Sequence, residues 1–228
     1  EGVTGHYSRW VESNDFFAPE PTEELLWRII DIQRENIPEG LPEDELERIR
    51  ARESICIVFD DTTFDSHIFK TKAMRWLFMN GRHYGICIIV GMQFCMDMPP
   101  SMRSQIDYVF GMHEPIHVNR ERLYKYYFGV FPKANDFYDT FKKCTEDYKC
   151  LVFDKNIRSS DPYECVFWYK ATLGKNLKFK AGSKEFRAYN RLRSRKLLNK
   201  RRQDVKNLKE LRDHTLRKNP KKLLRHPA

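Results

Sequence analysis

The sequence predicts an α/β fold in which a mainly parallel central sheet is flanked by helices and followed by a basic helical tail. Two apolar runs rich in β-branched residues, at residues 55–59 and 86–90, are separated by about one helix length of chain. Continuous runs of this kind are typical of parallel strands that are buried on both faces. A third observation is that the basic residues are concentrated after residue 183.

Both apolar runs end in polar residues. Asp60 and Asp61 follow the first run, and Gln93 lies just beyond the second. A strand–helix–strand unit joins parallel strands, and ligands bind at the carboxyl ends of such strands. An acid at this edge can hold Mg²⁺ on nucleotide phosphates, a second acid can polarise a water molecule, and a polar side chain on the next strand can contact the γ-phosphate. The alternative is that the two acids only begin a turn.

The elements before and between the two strands follow from their capping residues and periodicity. A helix is expected to begin at Pro21-Thr22, with an apolar face that includes Leu26 and Ile30. A short charged helix over about residues 43–52 leads into the first strand. The crossover helix is expected over residues 66–79, with Gly81 as its C-cap.

The region after Gln93 is expected to alternate between short helices and strands. Residues 101–106 predict one or two helical turns, residues 108–110 a third strand, and residues 119–128 and 133–144 two helices. Residues 149–154 and 164–171 predict two more strands that form a hairpin or a sheet edge. The aromatic residues of the last strand, Phe167, Trp168 and Tyr169, are interpreted as packing residues, not as a platform for stacked bases.

Two arginines are candidates for contact with a phosphate. Arg82 directly precedes the second strand, and Arg103 lies in the segment after it. From position alone, the favoured interpretation of Arg82 is a helix-end residue that the helix dipole stabilises. For Arg103 the more common interpretation is a surface ion pair.

Composition limits the class of protein. A hydrophobic share of 41% over 228 residues is enough for a substantial core, and no apolar run approaches the length of a membrane span. The six cysteines include no C-x-x-C pair, which predicts free thiols in a reducing compartment and neither a disulfide framework nor a zinc site. Because the first residue is Glu1 and not Met, the chain is expected to be a fragment or a processed chain.

The positive charge belongs to the end of the chain. Residues 184–228 contain 17 Lys and Arg against 4 Asp and Glu, a net charge of +13. The whole chain carries +9, so residues 1–183 carry −4. We therefore expect a domain over residues 1–183 and a basic helical tail over residues 184–228, which can be a solvated helix, a coiled-coil arm or a nucleic-acid contact. The candidate nucleic-acid-binding residues are Arg193, Arg195, Lys196, Lys200, Arg201 and Arg202.

Six blocks of the sequence together resemble one family. In order they read IVFDD, MNGRHYGICIIVGMQF, PPSMRSQIDYVF, NRERLYKYYFGVFP, CTEDYKCLVFD and VFWYKA. They are similar to the DNA-packaging ATPases of nucleocytoplasmic large DNA viruses, of the poxvirus and giant-virus type. The resemblance covers about residues 55–185 and is looser before them. It implies a RecA-like P-loop ATPase of the FtsK–HerA class, whose members form rings and pump double-stranded DNA.

The resemblance also implies roles for individual residues. Asp60 would be the Walker B acid that holds Mg²⁺, and Asp61 the catalytic acid, although many relatives in the wider superfamily have glutamate there. Gln93 would sense the γ-phosphate, and Arg82 would act on the site of a neighbouring subunit, with Arg103 as the second candidate. The implied cofactors are ATP and Mg²⁺. The implied partners are double-stranded DNA, further copies in a homo-oligomeric ring, and a virion membrane or capsid component, in the virion or in a viral factory of the host cytoplasm.

One departure from the family affects the expected activity. The phosphate-binding motif G-x-x-x-x-G-K-[ST] does not occur in this sequence, and in the family it lies upstream of the matching region. We therefore expect residues 1–183 to be a P-loop ATPase domain without its Walker A segment, and the chain alone to bind ATP weakly or not at all. The alternatives are a catalytically inactive nucleic-acid-binding adaptor and a cellular FtsK–HerA-type translocase. The blocks after residue 115 argue against the cellular translocase.

Overall fold

The computed structural model describes residues 7, 10–11, 16–60, 67–172 and 180–218. The chain folds into two compact units. One unit is formed by residues 19–173, and the other combines residues 1–18 with residues 174–228. This division follows the packing of the chain, whereas the boundary expected at residue 183 follows the distribution of charge. The two units are described separately.

The unit of residues 19–173 is a mixed α/β structure, as predicted. Its described helices and strands are α1 (Glu23–Asn36), α2 (Glu43–Glu53), β1 (Ile55–Phe59), α3 (Lys72–Asn80), β2 (Ile86–Val90), α4 (Pro100–Arg103), β3 (Tyr108–Gly111), α5 (His117–Tyr126), α6 (Ala134–Cys144), β4 (Lys149–Asp154), α7 (Pro162–Cys165) and β5 (Val166–Lys170).

Threonine caps define the starts of the two helices that flank the first sheet. The Oγ1 of Thr22 accepts a hydrogen bond from Leu25 N at 3.2 Å, so α1 begins where the sequence predicts. The Oγ1 of Thr71 accepts from Met74 N at 3.3 Å. The crossover helix α3 is therefore shorter than the predicted range of residues 66–79, because residues 67–70 form a separate turn of 3-10 helix before the cap.

The strands β1 and β2 pair in parallel, which confirms the predicted strand–helix–strand unit. Ile55 lies opposite Ile86, and Phe59 lies opposite Val90. One face of this pair packs on a core that α1 and α3 also supply. Its buried residues are Leu26, Ile30, Phe59, Ile68, Phe69, Ala73, Met74, Leu77, Ile86, Met98 and Met102.

The prediction that both faces of these strands are buried is wrong. Val58 is 46% exposed and Ile89 52%, and the side chains of Cys56 and Cys87 are also exposed. These two cysteines lie opposite each other in the register, where burial and the adjacent Cys87 thiol raise the pKa of Cys56. No described element covers the face of the strand pair that carries these four residues. The apolar residues on that face therefore reflect the preference of β-branched side chains for strands, and not burial.

The prediction of a mainly parallel sheet also differs from the structure. The third strand exists, but β3 pairs with β4 in antiparallel register, Tyr108 opposite Asp154, and β4 pairs with β5 in the same way. The described strands thus form a two-stranded parallel sheet and a three-stranded antiparallel sheet. A second core of aromatic residues packs on the antiparallel sheet, with Phe128, Phe131, Phe137, Phe141 and Leu151 buried.

Gly81 is the C-cap of α3, as predicted, and its N–H donates to Leu77 O. Its φ of −52° is right-handed, so the chain continues as a 3-10 turn over Gly81–Tyr84. Gly85 has the left-handed conformation, with a φ of +62°. A Cβ at this position would lie 2.8 Å from the Oγ of Ser54, so both the backbone conformation and the close approach favour glycine.

In the second unit, the described structure is dominated by α8 (Lys184–Lys218). The Oγ of Ser183 accepts a hydrogen bond from Phe186 N at 3.1 Å at the start of this helix. The N-terminal residues contact its beginning, since Ala181 N donates to Trp10 O at 2.8 Å and the rings of Phe16 and Phe186 lie 5.4 Å apart. No helix among the described residues combines the length and the apolarity that crossing a bilayer requires.

Candidate functional site

Asp60 lies at the carboxyl edge of the parallel pair, directly beside the end of β2. Gly91 N donates to Phe59 O at 2.8 Å, which continues the strand pairing for one residue past β2. A Cβ built on Gly91 would lie 3.4 Å from Asp60 Oδ1, so the carboxylate lies over the glycine. Asp60 itself is exposed. Gln93 follows Gly91 by two residues and is exposed at the same edge.

This edge is suited to a hard cation that also binds a ligand. Mg²⁺ in phosphate-binding sites takes one or two protein carboxylates and fills its other positions with waters and phosphate oxygens. Asp60 can supply one such oxygen ligand. Among the described residues, no three His, Cys, Asp or Glu side chains cluster as a complete metal site would require. Asp61 lies outside the described residues.

Arg82 is at the opposite end of β2 from Asp60. It belongs to the 3-10 turn Gly81–Tyr84 and is exposed, and its Nη2 donates a long hydrogen bond of 3.5 Å to Gln105 Oε1. The five residues of β2 separate the two positions by about 16 Å, at roughly 3.3 Å per residue. Arg82 therefore lies at the far end of the strand pair from the Asp60 edge of its own chain.

Arg103 is half-buried, in contrast to the exposure expected from sequence. Its guanidinium carbon lies 4.7 Å from the ring centroid of Tyr126, the last residue of α5, and 5.9 Å from that of Tyr127, which follows it. Arg103 Nε is buried and has no hydrogen-bond partner among the described residues. The ion pairs found in the described part of the chain do not include Arg103, so its charge is stabilised by the aromatic rings.

Tyr127 connects this arginine to the segment after β2. Its Oη donates a hydrogen bond of 2.5 Å to Cys95 O. Burial raises the pKa of Tyr127 to about 12, and the positive charge of Arg103 opposes this rise only in part. The phenol therefore stays protonated and remains a donor at neutral pH. Sequence reasoning missed this contact because the two partners are 32 residues apart.

The basic residues of α8 lie on more than one side of the helix. Arg193, Lys196 and Lys200 are exposed and line a shallow cleft of about 360 Å³ together with Tyr189 and Leu192. Arg195 and Arg202 are also exposed. Because they are seven residues apart, they share one side of the helix, and Arg195 follows the cleft residue Arg193 by two positions, so that side is not the one that bears the cleft. The side chain of Arg201 is outside the described part of the structure. The cleft thus combines three cations with an exposed aromatic ring.

Curated relatives of the chain come from large DNA viruses. An uncharacterised protein of Acanthamoeba polyphaga mimivirus is 32% identical over 179 residues, which are 75% of this chain and 60% of that protein. An uncharacterised protein of Invertebrate iridescent virus 3 is 34% identical over 135 residues, 58% of this chain and 52% of that protein. An uncharacterised protein of Frog virus 3 is 30% identical over 136 residues, which are 59% of this chain and 42% of that protein. The chain therefore spans between 42% and 60% of these relatives.

Solved structures give weaker similarity, and no family model matches the chain. A genome-packaging NTPase of Sulfolobus turreted icosahedral virus 2, in complex with AMPPCP, is 16% identical and covers 57% of this chain and 61% of its own, with a TM-score of 0.40. The same NTPase in complex with sulfate is 17% identical, covers 59% of this chain and 64% of its own, and has a TM-score of 0.41.

Proposed function

We propose that this chain is part of an ATP-driven motor that moves double-stranded DNA into a virus particle. The observation that carries the proposal is the Asp60 carboxylate over Gly91, at the carboxyl edge of a parallel strand pair. The six sequence blocks that resemble viral DNA-packaging ATPases support it, as does the origin of the relatives in large DNA viruses. The proposed location is the virion or a viral factory in the host cytoplasm.

In this proposal each residue at the edge has one task. Bound Mg²⁺ would neutralise charge on the phosphates and orient them. Asp60 supplies a carboxylate oxygen to the ion, and Asp61, the next residue, accepts a proton from the attacking water. Gln93 presents its side-chain amide to the γ-phosphate from the adjacent strand.

The phosphate cradle would come from outside these 228 residues. No G-x-x-x-x-G-K-[ST] motif is present, so the chain lacks the backbone amides and the lysine that hold phosphates in P-loop enzymes. The protein encoded by the full reading frame that contains residues 1–228, here called the longer protein, is the form to assay. ATP hydrolysis by that protein, measured with and without double-stranded DNA, tests the proposal.

The absence of that motif from the sequence also favours a second candidate, an inactive adaptor that binds nucleic acid through α8. A longer reading frame that still lacks the motif would support the adaptor, and one that contains it would support the motor. A cellular FtsK–HerA-type translocase is the third candidate. If the protein is a motor, its partners are further copies of the chain in a ring, double-stranded DNA, and a membrane or capsid component of the virion.

We also propose that α8 binds double-stranded DNA without sequence preference. Reversing two charges of the α8 cleft, in a variant with Lys196→Glu and Lys200→Glu, is expected to weaken binding to a DNA duplex by about tenfold or more at low salt, because fewer counterions are released. The slope of the logarithm of the binding constant against the logarithm of the salt concentration should become less steep by about one unit for each lost phosphate contact. Fluorescence anisotropy across a salt series measures both quantities.

The matched control for these substitutions reverses two exposed lysines of α6, Lys142→Glu and Lys143→Glu, which change the net charge of the chain by the same amount. If the control weakens binding as much as the cleft variant does, net charge alone explains the affinity. In that case α8 is not the DNA contact.

A further inference from the structure

Gln93 lies in a short irregular segment, residues 91–99, that joins β2 to α4. At the start of this segment, Gly91 N donates to Phe59 O at 2.8 Å and ties the chain to β1. Near its end, Met98 is buried in the core that α1 and α3 also supply. Gln93 is exposed between these two anchors, so the contacts of the residues directly after it help to determine where its side-chain amide lies.

The helix α5 and the residue after it contact both of the residues that follow Gln93. The guanidinium carbon of Arg122 lies 5.2 Å from the ring centroid of Phe94, which is a cation–π contact. Tyr127, directly after α5, donates a hydrogen bond of 2.5 Å from its Oη to Cys95 O. The chain is therefore held from outside at the first and second positions after Gln93.

The residues that make these contacts are themselves fixed. Tyr124 and Tyr127 pack against the aromatic core of the antiparallel sheet, and the Oη of Tyr124 donates to Phe131 O at 3.3 Å. Within α5, Arg122 Nη1 donates to Asn119 Oδ1 at 3.3 Å, which orients the guanidinium group. The second core thus supports the segment that carries Gln93, through α5.

We propose that Arg122 and Tyr127 are positioning residues for Gln93. They act through Phe94 and Cys95 and not by touching the phosphate. The inference rests on the proposed function, in which the Gln93 amide contacts the γ-phosphate. Orientation of this kind matters for rate, because a displacement of about 1 Å can cost about 10²-fold.

The positional part of the proposal is tested without ATP, by NMR relaxation of the 228-residue chain. In the unsubstituted chain, the backbone amide of Gln93 should have an order parameter close to that of rigid backbone, about 0.85. Removing both contacts, in a variant with Arg122→Gln and Tyr127→Phe, should lower this order parameter below about 0.6, the range of flexible segments.

The matched control changes two neighbouring residues of α5 in the same way, Lys125→Gln and Tyr124→Phe. It also removes one cation and one phenol hydroxyl, but the Tyr124 hydroxyl is bonded to Phe131 O and not to the segment. The control should leave the order parameter of Gln93 unchanged. Equal losses in the two variants, or an order parameter that neither variant changes, would overturn the proposal.

In the longer protein, the variant with Arg122→Gln and Tyr127→Phe should lower kcat for ATP hydrolysis by about tenfold, the size expected for one or two lost polar contacts. Affinity for AMPPCP, which has a γ-phosphate, should fall by about fivefold. Affinity for ADP, which lacks that phosphate, should stay unchanged. Equal losses for both nucleotides would mean that the substitutions act on the fold and not on Gln93.

A double-mutant cycle with Gln93→Ala provides the sharpest measurement. Because Arg122 and Tyr127 act through Gln93, their substitution should have no further effect on kcat when Gln93 is already alanine. A general structural role would lower kcat by the same factor in both backgrounds, and that result would overturn the proposal.

Failure of this inference is distinguishable from failure of the proposed function. If the longer protein does not hydrolyse ATP, the proposed motor is contradicted, and the NMR comparison still decides whether α5 positions Gln93. If the protein hydrolyses ATP at a rate that the substitutions at Arg122 and Tyr127 leave unchanged, the motor stands and the positioning role is wrong.

Discussion

In the longer protein, Arg82→Ala is expected to lower kcat for ATP hydrolysis by about 10³-fold or more, the typical contribution of an arginine that enters the site of a neighbouring subunit. The reason is geometric. Arg82 lies at the amino end of β2 and Asp60 follows the carboxyl end of the paired β1, so within one chain they cannot contact the same phosphate. A ring can bring Arg82 of one copy to the Asp60 edge of the next.

Mixing two inactive variants tests this arrangement directly. Arg82→Ala subunits keep Asp60, and Asp60→Asn subunits keep Arg82, so mixed rings contain some interfaces in which both residues are intact. The mixture should hydrolyse ATP faster than the sum of the separate variants. Arg75→Ala, which removes an exposed arginine of α3, is the matched control and should retain the activity of the unsubstituted protein. Unchanged kcat in Arg82→Ala, or no recovery on mixing, would contradict a role in trans.

Phe137→Ala is expected to lower the free energy of unfolding by about 3–5 kcal/mol, the usual cost of removing a buried phenylalanine side chain. Phe137 is fully buried. Its ring centroid lies between 5.2 and 5.6 Å from those of five others, which are Tyr124, Phe128, Phe131, Tyr138 and Phe141. The cavity left by alanine would be bordered by rings whose packing depends on it. Such a loss is a large part of the stability of a typical domain, about 5–15 kcal/mol.

Urea unfolding of the 228-residue chain, followed by circular dichroism, measures this loss. The control is Phe167→Ala on β5, where the side chain is 47% exposed and the expected change is below about 1 kcal/mol. Equal losses for the two variants would show that the aromatic cluster does not hold this unit together.

Local signals in the sequence were sufficient to place most of the secondary structure. Thr22 and the apolar spacing after it located α1, and the two β-branched runs located β1 and β2 and their parallel pairing. These features depend on residues close together in the chain. Asp60 and Gln93 were placed at the carboxyl edge by the same reasoning, because the end of a parallel strand is determined once the strand is known.

The features that sequence did not predict depend on contacts between distant segments. The antiparallel pairing of β3 with β4 joins residues 40 to 46 positions apart, and nothing in the short segment from Tyr108 specifies a partner. Arg103 is covered by Tyr126 and Tyr127 from α5, a contact that helical periodicity alone does not reveal. Gly91 could have been noticed, since a glycine directly after a strand can mark close approach of another group.

The most direct test of the proposed motor is DNA-stimulated ATP hydrolysis by the longer protein, with Asp61→Asn assayed beside it. Stimulated turnover that falls by about 10²–10⁴-fold in Asp61→Asn is the predicted result, because a positioned general base contributes a factor of this size. Exposed Asp31 on α1 gives the matched control, Asp31→Asn, which should leave turnover unchanged. DNA-stimulated turnover that survives the Asp61 substitution would contradict the assigned role, and no turnover from a reading frame without a phosphate loop would favour the adaptor.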